Sequence, residues 1–220
     1  MKSGGNMKEN KHGFKPRQQF VMGGITWTII QTDEDWVKCI ASDCIEKRSF
    51  NQKNKNDFAA SSLRAYLNDE FLCRLIKSGA PKEMFEYFNI DLTADDGLKN
   101  YGGVCVRIGL ITCEEYRLFR DNIPTLPDCW WWTATPDSLT NSYIRYVDSD
   151  GSLNSNFPDS GNGGVRPLCQ LKSEILASYL NRENAEERKK RAGVIDMMKS
   201  IATIWNINAE EVFEVKQNIR

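Results

Sequence analysis

Cys129-Trp130-Trp131-Trp132-Thr133-Ala134-Thr135-Pro136 places three tryptophans and two threonines ahead of a proline. That composition is too aromatic and β-branched for a loop, and proline cannot continue a ladder, so the stretch reads as a strand ending at Pro136. Downstream, Tyr143-Ile144-Arg145-Tyr146-Val147 alternates with period two and runs into Asp150-Gly151, a strong hairpin-turn signal. A polar loop through Gly161-Asn162-Gly163-Gly164 leads to a last strand, Val165 to Leu171. Upstream, Thr112-Cys113-Glu114-Glu115 has the capping-box form and starts a helix through Arg120, which Pro124 and Pro127 end. Before that helix, Val104 to Ile111 reads as one buried strand.

Closer to the N-terminus, Phe20 to Ile30 is rich in β-branched and aromatic residues around Gly23-Gly24, and Trp36 to Ala41 follows across Asp33-Glu34-Asp35. Together they predict an antiparallel hairpin. After Ser61 and Ser62, Leu63, Leu67, Phe71 and Leu75 recur every four residues. A helix capped by one of those serines therefore packs an apolar face on a sheet. Lys77 to Asn100 reads as irregular, with one short helix at Lys82 to Phe88. The fold class is α+β, with antiparallel strands and two packed helices in residues 20–171.

Residues 1–19 carry Lys2, Lys8, Lys11, Lys15 and Arg17 against Glu9, with no apolar run, and read as a disordered basic tail that is neither signal peptide nor membrane anchor. Residues 172–220 read as a helical extension. Ser173 to Tyr179 starts a helix and Asn181 to Arg191 is charged throughout; Val194, Ile195, Met198, Ile201, Ala202 and Trp205 recur at helical spacing. Asn208 and Glu211 cap a final helix carrying Val212, Phe213 and Val215, so the extension ends in a helical hairpin with an apolar face. Residues 194–218 are accordingly the expected homo-oligomer contact.

Twenty-nine basic against thirty acidic residues give a formal charge of −1, which removes any bulk attraction to nucleic acid or an anionic membrane. Lys189-Lys190-Arg191 follows Glu183, Glu186 and Glu187 and reads as a solvated helix face, so no specific nucleic-acid partner is expected. No apolar run reaches the roughly 18 residues a spanning helix needs. The single histidine, His12, lies in the tail, which argues against Ser-His-Asp, Cys-His and H-E-x-x-H chemistry in the body. Seven cysteines without a C-x-x-C pair read as reduced, mostly buried thiols, so neither a metal site nor a cofactor is expected. The expected location is the cytoplasm or a phage particle assembled there.

Five motifs recur in the order found here in an uncharacterised bacterial and phage domain family. They are Gly24-Ile25-Thr26-Trp27-Thr28-Ile29, Ser61-Ser62-Leu63-Arg64-Ala65-Tyr66-Leu67-Asn68 followed by Phe71, Leu110-Ile111-Thr112-Cys113-Glu114-Glu115, Trp131-Trp132-Thr133-Ala134-Thr135-Pro136, and Gly164-Val165-Arg166-Pro167-Leu168. On these, residues 20–171 resemble that family, which is similar to the C-type lectin fold, as are formylglycine-generating enzymes and the variable proteins of diversity-generating retroelements. Many members read Trp-Trp-Leu-Arg-Ser-Pro where this chain has Thr133-Ala134, so any role of that arginine is absent. The Glu-Pro-Asn and Trp-Asn-Asp signatures of calcium-dependent sugar binding are also missing, and Asp148-Ser149-Asp150-Gly151 is explained by its turn. Arg166 resembles the family's arginine, with a buried ion pair as its expected role.

Twenty of the 28 residues from Asp137 to Gly164 are Ser, Asn, Asp, Gly or Tyr. Small polar residues beside tryptophans resemble a paratope, where aromatics give rigid contact area and small side chains give adaptable hydrogen bonds. In the variable proteins of this fold the binding surface lies in the corresponding segment. The expected function is non-catalytic ligand or protein binding through Trp130, Tyr143, Arg145, Tyr146, Asn154, Asn156 and Asn162, with at least one of Trp131 and Trp132 in the core. Two alternatives stand beside it. An enzyme of formylglycine-generating type would need Cys129 and Cys169 to converge in a groove, and a phage or prophage structural subunit would assemble through the C-terminal helices.

Overall fold

The computed structural model describes residues 9–204. Strand β1 (Gln19–Met22) turns at Gly23-Gly24 into β2 (Ile25–Thr32), and β3 (Trp36–Ala41) follows antiparallel. Gly23 and Gly24 have φ of 63° and 74°, the left-handed pair a two-residue hairpin turn demands. The expected hairpin is present as three strands. A bulge at Ile30 takes that residue out of the β2–β3 register, and its carbonyl accepts a hydrogen bond from Asn122 Nδ2.

The periodic segment forms α1 (Ser62–Tyr66), a π-helical turn (Leu67–Phe71) and α2 (Leu72–Lys77) without interruption. Ser61 supplies the cap, its side chain accepting from the Arg64 N–H. Leu63, Leu67, Phe71 and Leu75 are all buried, so the four-residue period marks the packed face. Helix α3 (Cys113–Phe119) starts at Thr112 with both bonds of the capping box formed.

Two departures from the expected elements are linked by the pairing of β5 with β6. Lys77 to Asn100 contains a strand, β5 (Phe88–Asp91), where irregular chain is expected, and only Lys82–Met84 of the expected helix is helical, as a 3₁₀ turn. Val104 to Ile111 is not one buried strand. It divides into β6 (Gly103–Val106), paired with β5, and β7 (Ile108–Gly109), which belongs to another sheet. The switch is fixed at Arg107 by Asn68 in the π-helical turn. Asn68 Oδ1 accepts from the Arg107 and Ile108 N–H groups, while Nδ2 donates to the Ile108 and Arg64 carbonyls. A side chain that satisfies backbone groups in place of a ladder is what lets a strand change sheet.

The remaining strands are β4 (Glu46–Lys47), β8 (Trp131–Pro136), β9 (Ile144–Val147), β10 (Leu153–Asn156), β11 (Gly164–Val165) and β12 (Leu168–Lys172). The first sheet runs β1-β2-β3-β12-β7, and the second runs β10-β9-β8-β11-β4, in which only β8 and β11 are parallel. The expected last strand is therefore two. The chain leaves the second sheet at Val165, crosses at Arg166-Pro167, and enters the first at Leu168. Every residue of β8 is buried, because Tyr116 of α3 packs on Trp131 while Phe50 packs on Trp132 from the other face.

The expectation of a disordered tail over 1–19 does not hold for residues 9–19. Asn10 is buried and donates to the Asp33 carbonyl, Lys11 bridges Glu34 and Asp35, and Phe14 is in the core. The compact unit continues to Ala177, past the expected end at Leu171. Helix α4 (Ser173–Ile204) is one continuous helix, whereas the expected second helix of the hairpin lies outside the described residues. Among the described residues no helix is long and apolar enough to cross a membrane.

Candidate functional site

Strand β8 delivers the aromatic cluster. Trp131 and Trp132 are core residues with 2% and 0% of their surface exposed, and the Trp132 Nε1 donates to the Arg48 carbonyl at 2.8 Å. Trp130, one residue before the strand, is half-buried and packs edge-on against Trp132, with ring centroids 4.7 Å apart. Its other neighbour is Tyr146 of β9, at 4.6 Å. Gly163 is the residue that admits this packing, since a Cβ there would lie 2.2 Å from the Trp132 ring.

The β9–β10 hairpin brings Asn154 opposite Tyr146 and Asn156 opposite Ile144. With alternate residues on alternate faces, Tyr146, Asn154 and Asn156 share one face of the hairpin. Tyr143 packs against the exposed Phe157, with ring centroids 4.6 Å apart, as a second aromatic pair. The three asparagines use their carbonyl oxygens locally. Asn154 Oδ1 accepts from Ser155 N–H, Asn156 Oδ1 from Phe157 N–H, and Asn162 Oδ1 from Ser160 Oγ. Burial raises the Tyr146 phenol above its ordinary pKa, and the neighbouring Asp148 raises it further, so it stays a neutral hydroxyl.

Arg145 lies apart from this face. It reaches Asp137 through Nη1 at 3.1 Å and Asp95 through Nε at 3.2 Å, the latter an ion pair without hydrogen-bond alignment. Asp95 also holds Arg117 at 2.9 Å. Asp95 and Arg117 border a polar cleft of about 350 Å³ that Asp91, Thr93, Thr112 and Glu114 also line. The loop above, residues 137–143, is pinned by buried Asn56, whose Nδ2 reaches the carbonyls of Ser138, Asn141 and Tyr143. Nothing in the local sequence around Asn56 announces that role, because all three acceptors lie more than 80 residues away.

Cys129 and Cys169 do not meet each other in the pairing of this fold. Cys169 faces Cys39 across β12 and β3, both fully buried, and burial pushes both thiols up. Cys129 instead touches Cys44, with sulfurs 2.8 Å apart, and both residues are half-buried. Arg166 is 1% exposed, and its partners are backbone rather than acidic. Nε donates to the Ala41 carbonyl at 2.7 Å, Nη2 donates to the Ser42 carbonyl at 3.0 Å, and the guanidinium stacks over Trp131. The expected buried ion pair is replaced by these contacts. Burial lowers this guanidinium to about 10, which leaves it charged at neutral pH.

Asp148-Ser149-Asp150-Gly151 is a turn, with Asp148 Oδ1 accepting from Ser149 N–H and Asp150 Oδ1 from Ser152 N–H. Among the described residues no group of three or more His, Cys, Asp or Glu is gathered as a metal would need. No curated protein and no solved structure matches the chain. Residues 82–173, from the 3₁₀ turn before β5 to the first residue of α4, match the family described as a domain of unknown function (DUF6273).

Proposed function

We propose that residues 20–171 form a C-type lectin-like module that binds a protein or small-molecule ligand without making or breaking bonds. The observation that carries this reading is the half-buried Trp130–Tyr146 ring contact beside the amides of Asn154 and Asn156. Rigid rings supply contact area at little entropic cost, and amide groups facing solvent supply directional hydrogen bonds. The order of the five motifs and the two helices among antiparallel strands support the fold assignment. Tyr143 and Phe157 add a second aromatic pair, and Asn162 lies one residue before the glycine that packs on Trp132. Arg145 holds the loop through Asp137 and leaves the ligand to its neighbours.

The test is a screen of soluble oligosaccharides and synthetic peptides against tryptophan emission of the full chain. Any probe that binds is expected to lose roughly tenfold or more in affinity with Trp130→Ala, because buried aromatic anchors carry most interface energy. Binding that is indifferent to Trp130→Ala, Tyr146→Ala and Asn154→Ala would remove the face from consideration. The same reading includes assembly of copies through residues 194–218, where α4 exposes Val194, Met197 and Ile201.

A further inference from the structure

We propose that Cys44 and Cys129 are a reversible dithiol–disulfide couple that is closed by peroxide. The two sulfurs are 2.8 Å apart although 85 residues separate them in the chain. Folding therefore brings them to within about 0.8 Å of a bonded distance, so closure needs little movement of either side chain. Gly164 sits directly against the pair. A Cβ at that position would lie 2.5 Å from one sulfur and 2.6 Å from the other, so only glycine leaves room for both. The remaining thiols differ. Cys39, Cys113 and Cys169 are buried, and Cys73 and Cys105 are exposed.

Access comes from a cleft of about 420 Å³ lined by Gly23, Gly24, Thr26, Asp43, Cys44 and Arg74. Peroxide entering there meets Cys44 first. The Cys44 sulfur attacks one peroxide oxygen, forming an S–O bond as the O–O bond breaks, and the departing hydroxide leaves as water with the thiol proton. The Cys129 sulfur then attacks the sulfenic sulfur, forming the S–S bond as the S–O bond breaks, and its own proton leaves with the second hydroxide as water. The two sulfurs together lose two electrons and one hydrogen peroxide becomes two waters. A small thiol reductant reverses the step by exchange through a mixed disulfide.

The charged and titratable groups around Cys44 are Cys129, Arg166 and Asp43, with Arg74 lining the same cleft. Burial raises the Cys44 thiol, and Cys129 and Asp43 raise it further, while Arg166 acts in the opposite direction. The attacking species is the thiolate, so oxidation is slow at neutral pH and speeds up as pH rises.

The experiment is peptide mapping of the full chain carrying Cys73→Ser and Cys105→Ser, treated with hydrogen peroxide and alkylated without reduction. The expected product is one cross-link joining the Cys44 and Cys129 peptides, lost on adding dithiothreitol. Its rate is expected to rise roughly tenfold per pH unit above neutral until Cys44 ionises. With Cys129→Ser, a dimedone adduct is expected on Cys44 in place of the cross-link. Free alkylation of both thiols after peroxide, or separate sulfinic acids with no cross-link, would overturn the proposal, and neither result bears on ligand binding at Trp130.

Discussion

Arg166 shows how a single residue joins two sheets. Its guanidinium bonds to the carbonyls of Ala41 and Ser42, at the end of β3, while its plane covers Trp131 of β8. Replacing it with methionine keeps volume but strands the buried Ala41 carbonyl and the half-buried Ser42 carbonyl, at a cost of about 2 kcal/mol. Urea unfolding of Arg166→Met is the check, and Arg166→Lys is expected to recover only part of the loss, since an ammonium cannot fork to two carbonyls and stack at once. The motif around Arg166 was visible in the sequence, but its chemistry was not. Composition suggests an acidic partner for a buried arginine, whereas the fold supplies carbonyl groups whose positions no sequence pattern encodes.

At the scale of elements, what could be read from sequence was local. The Gly23-Gly24 turn, the four-residue apolar period after Ser61, the capping box at Thr112 and the Asp150-Gly151 turn each act within a few residues, and each is present. The division of Val104 to Ile111 escaped because it is decided by Asn68, 39 residues before Arg107. Asn68→Ala removes bonds to two N–H groups and two carbonyls at once, and is expected to cost about 2 kcal/mol. Hydrogen exchange at the Arg107 and Ile108 amides is the direct readout, with faster exchange expected there than in β2 or β3. The candidate face follows the same rule. Trp130, Tyr146 and the asparagines stood out because one short segment is rich in them, whereas Cys44 carries no local mark of its partner 85 residues on.

Across the whole molecule, α4 is the element whose exposed surface is least explained by its own fold. Val194, Met197 and Ile201 follow a spacing of three and four residues, with 51%, 59% and 47% of their surfaces exposed. Such a stripe on one helix face is the pattern of a helix that packs against another. Light scattering of the full chain is expected to give a multiple of the 25.2 kDa monomer, and Val194→Lys with Met197→Lys and Ile201→Lys is expected to return it to the monomer. A monomer in both samples would leave the helix to another role. The crossing at Val165-Arg166-Pro167-Leu168 has a mechanical consequence for the compact unit. Because the covalent chain passes from one sheet to the other within three peptide bonds, tension on either sheet is borne by both. The two sheets are therefore expected to come apart together, which hydrogen exchange would read as equal protection of β3 and β8 amides.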